Sequence, residues 1–242
     1  MNYALLLSGG TGSRTESEIP KQYVKAGRHM MVTYALKVFF DCNDTDSVYI
    51  VSDPEWRKLI LDDISLAGLD VSKIKGFAEP GENRQCSILN GMKEMLKDID
   101  RNGDIADIND EDTVFIHDAA RPFLTAELLK RCYEALPGHD GVMPVLSMKD
   151  TVYRSEDGSS ITELLTRSEV FAGQAPELFR LKSYYEANLD LLPERILKIN
   201  GASEVAFTAG MDIVMIPGDE RNTKVTTKED LMKFIQTVEK HA

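Results

Sequence analysis

Short apolar runs alternate along this chain with longer stretches whose apolar residues recur every three or four positions. The short runs occupy residues 3–7, 47–52, 74–77, 113–117, 141–145 and 212–216. Four to six residues is strand length, and enrichment in Leu, Val and Ile predicts strands buried on both faces. The longer stretches, residues 30–40, 54–67, 83–97, 125–136, 181–191 and 228–240, predict helices; Pro54 sits where a first helical turn tolerates proline. Strands alternating with helices predict an α/β fold, a mostly parallel twisted sheet with helices on both faces. Ligands of such sheets bind at the carboxyl ends of the strands.

Two stretches break the alternation. Residues 98–112 are acidic and aperiodic, a loop or a frayed helix end. Residues 146–172 read as a hairpin-like excursion: alternation at 151–154, the turn SEDGSS at 155–160, and a return over 161–170. So polar an arm predicts packing against something else, most economically a second subunit. Residues 223–226 predict a last short strand.

Composition narrows this picture without redirecting it. A chain of 242 residues, 43% of them hydrophobic, fits one large domain with a substantial core. No apolar stretch approaches the roughly 20 residues of a membrane span, and the first apolar run is too short for a secretory signal, so the cytoplasm is the expected compartment. Cys42, Cys86 and Cys132 are far apart and the four histidines lack ligand spacing, which excludes a zinc site and predicts free thiols. With 28 basic and 40 acidic residues, the net charge of −12 argues against nucleic acid or an anionic membrane as partner. An acidic chain that binds a polyanion must gather its few cations locally, so individual Arg and Lys residues carry weight.

The first strand runs into Ser8-Gly9-Gly10-Thr11-Gly12-Ser13, followed by Arg14 and, after a polar gap, Pro20-Lys21. Glycines let a ligand approach the backbone, consecutive N–H groups can form an anion nest, and Arg14 and Lys21 add positive charge. The loop lacks the Gly-Lys of a Walker A sequence and the third glycine of the dinucleotide fingerprint. A polyphosphate cradle and an ordinary strand-to-helix turn both remain open at this point. His117-Asp118-Ala119-Ala120-Arg121-Pro122 places Asp118 at a strand carboxyl end, where a carboxylate can meet a divalent cation or a substrate hydroxyl, or merely cap a turn. Gly81, Arg84 and Ser87 precede or open a helix, an anion position or a plain turn. Lys224, among β-branched residues, points either into a cleft or to solvent.

Together and in order, the segments SGGTGSR…PKQY, GENRQCS, HDAARP, Asp150-Thr151, Gln174-Ala175-Pro176 and NTKVTTKEDL resemble the methylerythritol-phosphate and ribitol-phosphate cytidylyltransferases. The resemblance spans residues 3–231, and the six motifs in this order are specific where each alone is not. It implies a Rossmann-like nucleotidyltransferase fold and transfer of CMP from CTP to a polyol phosphate with release of pyrophosphate. It also implies Mg²⁺ carried mainly by the CTP phosphates and a homodimer through the arm at residues 146–172. By the same resemblance the loop from Ser8 to Ser13 wraps the triphosphate, with Arg14, Lys21 and Lys224 acting on the phosphates. Gly81, Arg84 and Ser87 hold cytosine and ribose, while Asp118 and Ala119 lie at ribose, metal and substrate. Thr151 and Arg167 match positions that contact the acceptor phosphate, Arg167 serving the neighbouring subunit.

Two departures fall on the acceptor side: Ala175 stands where the family has threonine, and Asn200-Gly201-Ala202-Ser203 lacks the family's aspartate. HDAARP and PKQY lean toward methylerythritol 4-phosphate as acceptor; ribitol 5-phosphate or another alditol phosphate is the alternative. From other classes, a non-catalytic nucleotide-binding module is the competing reading, and the missing glycine disfavours a nicotinamide-dependent oxidoreductase.

Overall fold

The computed structural model describes residues 1–10, 19–99 and 105–240. In chain order the strands are β1 (Asn2–Leu7), β2 (Lys25–Ala26), β3 (His29–Met30), β4 (Ser47–Val51), β5 (Ile74–Ala78), β6 (Thr113–Asp118), β7 (Gly141–Ser147), β8 (Val152–Arg154), β9 (Glu163–Leu165), β10 (Phe171–Gly173), β11 (Glu177–Arg180) and β12 (Ile213–Pro217). The helices are α1 (Met31–Asp41), α2 (Pro54–Leu66), α3 (Arg84–Ile99), α4 (Ala126–Ala135), α5 (Leu181–Leu189), α6 (Ala202–Thr208) and α7 (Lys228–Lys240).

Eight strands form one sheet in the order β10-β7-β11-β6-β1-β4-β5, with β12 on β7. β1 is central: it pairs in parallel with β4 on one side and β6 on the other. Its residues Leu5 and Leu6 are closed off from solvent on opposite faces, as a strand period of two requires. Leu5 packs with α3, α5 and α6 residues such as Met92, Tyr184 and Val205, and Leu6 with α1, α2 and α4 residues such as Leu36, Ile60 and Leu128. The expected layering, helices on both faces of a mostly parallel sheet, is what forms. A third, smaller cluster lies under α7, where Phe234 meets Met31 and Val225.

The sheet becomes antiparallel at β11, which runs against both β6 and β7. The pattern missed β11 and α6. It also placed a strand at residues 223–226, where the structure has none. There the Val225 N–H donates to the Ala120 carbonyl, and the Thr226 N–H and hydroxyl both donate to Asp230 at the start of α7, leaving no ladder to form. The excursion is shorter than expected at both ends, because Leu146 and Ser147 still belong to β7 and β10 returns to pair with them. What projects is a two-stranded ribbon, β8 against β9, closed by a turn in which Asp157 accepts from Ser159 and Ser160. The predicted return over 161–170 narrows to β9 and a 3-10 turn at Arg167–Glu169. In the acidic stretch at 98–112 the described part holds one 3-10 turn, Ile105–Asp107. No helix among the described residues is long and apolar enough to cross a membrane.

Candidate active site

At the carboxyl ends of β1, β4 and β6 lies a cleft of about 460 Å³. Five separated segments line it: Gly9 and Gly10 after β1, Lys21 and Gln22 of a 3-10 turn, Gly81 to Arg84 with Ser87 at the start of α3, Asp118 to Ala120 after β6, and Lys224. The strand ends converge because β1, β4 and β6 are parallel and in register, Leu7 facing Val51 on one side and Asp118 on the other.

Asp118 is the electrostatic centre. Its Oδ1 accepts from Arg84 Nε at 3.2 Å and Nη2 at 3.1 Å, and its Oδ2 accepts from Lys224 Nζ at 2.8 Å. Burial alone would raise its pKa, but the Arg84 guanidinium and the Lys224 ammonium outweigh burial and hold the carboxyl well below the usual carboxylate range. Glu177 of β11 brings a second carboxylate, 3.7 Å from Arg84, and accepts the Ser203 N–H at 2.8 Å. Burial raises the pKa of Glu177, with Arg84 only partly offsetting it. With both carboxylates ionised the four groups sum to zero charge, so a ligand polyanion meets Arg84 and Lys224 already paired with protein carboxylates.

His117, one residue before, is fully buried, and burial pushes its pKa down to about 4. It is therefore neutral at pH 7, and with Nε2 3.1 Å from the Arg121 carbonyl it serves as a donor there.

Lys224 is placed by its loop rather than by a strand. Asn222 is buried and donates its amide to the Ala175 carbonyl at 2.7 Å, while its own carbonyl accepts from Arg121 Nη1 at 2.7 Å. Gln174 brackets the same loop, donating to the Asp219 carbonyl at 3.0 Å and accepting the Asp219 N–H at 2.9 Å. The departure at Ala175 thus lies in the lysine's support: its side chain is buried and lines no part of the cleft.

The remaining expected residues divide. Gly9 lets the first loop close on the opposite wall, since a Cβ there would meet Pro80 Cγ at 2.3 Å. Ser8 sits beneath the cleft, its hydroxyl 3.0 Å from that of Tyr23. Ser87 holds the α3 turn, accepting the Gly81 N–H at 3.0 Å and donating to the Asn83 carbonyl at 2.9 Å. Ala119 lines the cleft and donates its N–H to the Leu7 carbonyl. Thr11, Gly12, Ser13 and Arg14 lie outside the described residues. Thr151 and Arg167 are on the exposed arm and do not line this cleft; Arg167 Nη1 donates to the Lys149 carbonyl at 3.0 Å. Gly201 caps the start of α6, and Ala202 accepts from the Tyr184 hydroxyl at 3.1 Å.

Among the described residues no group of three or more His, Cys, Asp or Glu is placed to hold a metal ion. Both Asp118 oxygens already carry cationic partners, so the residues do not fit a resident metal centre. They leave room only for a cation brought by a ligand, with Asp118 as one oxygen donor.

A family model described as 2-C-methyl-D-erythritol 4-phosphate cytidylyltransferase (IspD) matches residues 3–238. Solved structures with the same fold include 4-diphosphocytidyl-2C-methyl-D-erythritol synthase from Anaerococcus prevotii, 23% identical, TM-score 0.77, covering 98% of this chain and 96% of that one. The 2-C-methyl-D-erythritol 4-phosphate cytidylyltransferase of Francisella tularensis is 22% identical, TM-score 0.75, covering 98% and 99%. That of Thermus thermophilus is 21% identical, TM-score 0.70, covering 99% and 100%.

Proposed function

The chain belongs to the 2-C-methyl-D-erythritol 4-phosphate cytidylyltransferase family, and on that premise we propose that the cleft around Asp118 is where this enzyme joins CTP to its polyol phosphate. The activity of the family is transfer of a cytidylyl group from CTP to 2-C-methyl-D-erythritol 4-phosphate, a step in isoprenoid precursor synthesis. The observation that carries the assignment of the site is the convergence of Lys21, Arg84, Asp118 and Lys224, from four distant segments, on one cleft at the strand carboxyl ends.

The chemistry asks little of the protein beyond placement and charge. A phosphate monoester oxygen of the acceptor attacks the α-phosphorus of CTP, the bond to the β-phosphate oxygen breaks, and pyrophosphate leaves with the electron pair. The acceptor phosphate is already ionised near neutral pH, so no general base is required, and His117, fully buried and outside the cleft lining, supplies none. Lys21 and Lys224 place positive charge where negative charge accumulates in the transition state. Arg84, Gly81 and Ser87 shape the wall for the nucleoside. Lys224 must exchange Asp118 for a phosphate oxygen, which the flexible stem and point charge of lysine permit. A divalent cation carried by the triphosphate would shield its charge, with Asp118, which lines the cleft beside Lys21, Arg84 and Lys224, the carboxylate that could meet it.

Thr151 and Arg167 complete the acceptor site across a homodimer. Their own chain's cleft does not include them, and the arm exposes Tyr153, Ile161, Leu164 and Phe171, apolar surface that a second subunit would cover. The sequence departures at Ala175 and at residues 200–203 leave an alditol phosphate other than methylerythritol 4-phosphate as the second reading. Pyrophosphate release from CTP, measured against methylerythritol 4-phosphate, ribitol 5-phosphate and other alditol phosphates, tests both. The expected result is fastest release with methylerythritol 4-phosphate; no release with any acceptor, in protein that binds CTP, would convert the reading to a binding module.

A further inference from the structure

The 3-10 turn that carries Lys21 also reaches under the first loop. Gln22 is buried, and its Nε2 donates to two loop carbonyls, Ser8 and Gly10, each at 2.7 Å. Both N–H bonds of that amide are thereby used. Tyr23 adds its hydroxyl to the Ser8 carbonyl at 2.8 Å, with its ring stacked on Trp56 at a centroid distance of 4.3 Å. Above them Gly9 and Gly10 line the cleft, and among the described residues neither N–H donates to a protein acceptor.

A peptide carbonyl carries partial negative charge and repels a phosphate oxygen. In a trans peptide the N–H lies opposite the C=O, so tying down the Ser8 carbonyl sets the direction of the Gly9 N–H. Free donors on the cleft side and occupied acceptors beneath are what an anion nest needs. We infer that Gln22 is a positioning residue for the triphosphate: its amide occupies the Ser8 and Gly10 carbonyls, keeping both from the anion, and through the Ser8 carbonyl it presents the Gly9 N–H to that anion. This rests on the reading of the cleft as the triphosphate site.

Gln22→Met keeps the volume and removes both donors; Gln22→Glu keeps the shape and turns a donor into a charge facing two carbonyls. Tyr23→Phe keeps the stack on Trp56 and removes one bond, a milder variant that folds if the others fail. Calorimetric titration of CTP and of CMP into each, with thermal unfolding alongside, separates the roles. For Gln22→Met the expected result is a loss of about tenfold in CTP affinity, CMP affinity staying within about twofold. Gln22→Glu should lose more, and Tyr23→Phe about threefold, with the same split between the two nucleotides. Equal loss for CTP and CMP, or unchanged CTP affinity, would overturn the inference and leave Gln22 a residue of the fold. Wild-type protein that binds no CTP would overturn the triphosphate reading itself, and this inference with it.

Discussion

Asp118 offers one oxygen to each of two cations, Oδ1 to Arg84 and Oδ2 to Lys224, and the roles of the lysines follow from that arrangement. With Lys224 removed, the charge that reaches the transferred phosphorus is lost while Asp118 keeps Arg84. We expect Lys224→Ala and Lys21→Ala each to lower turnover by about a hundredfold or more, with little change in unfolding temperature. Near-normal turnover in steady-state assays of either variant would remove that lysine from the chemistry. His117 governs a different property. Its folded pKa of about 4 lies below the ordinary value of 6.5, so it favours the fold above pH 6.5, and the contribution fades as pH falls toward 4. The stability advantage of wild type over His117→Gln should therefore shrink by roughly 3 kcal/mol across that window in denaturant titrations. A pH-independent difference would mean that burial does not hold His117 neutral. Legibility at this scale was uneven. The cations stood out because an acidic chain has few, whereas Glu177, Arg121 and Asn222 act through partners tens of residues away, which no local pattern displays.

The loop at residues 219–226 carries Lys224 and is the element that pattern describes worst. Its β-branched residues read as a strand, yet the hydrogen bonds of residues 219–226 go to Gln174, Arg121, Ala175, Ala120 and Asp230 and form no strand ladder. Asn222→Ala removes the buried amide bond to the Ala175 carbonyl. It should cost about 1–3 kcal/mol of stability, and turnover should fall because Lys224 loses its fixed position. Thermal unfolding and kinetics together check this: lost stability with unchanged turnover would free Lys224 from its loop. The parallel core was readable because short apolar runs alternate with stretches that keep helical periodicity over ten or more residues. β11 was not, being four residues with Glu177 and Arg180 at its ends, nor was α6, whose seven residues are too few to show a period.

At the scale of the molecule, a chain with net charge −12 binds a polyanion only where its fold gathers cations, and the cleft draws Lys21, Arg84 and Lys224 from three segments. The proposed dimer would extend that logic across subunits. If Arg167 serves the neighbour's site, inactive Lys21→Ala and Arg167→Ala chains should complement each other. Half of randomly mixed dimers are heterodimers and one of their two sites is intact, so about a quarter of wild-type activity should return. No recovery in dimers verified by mass measurement would confine each site to one chain. The arm was recognisable from its break in alternation, but where it docks depends on a surface that one chain does not contain. The central claim is that the acceptor's phosphate oxygen attacks the α-phosphorus of CTP. Phosphorus NMR of the products formed from CTP and methylerythritol 4-phosphate carrying ¹⁸O on its phosphate tests it most directly. The account predicts ¹⁸O in the bridge between the two phosphorus atoms of the product and none in pyrophosphate; label in pyrophosphate, or a bridge without it, would contradict the account.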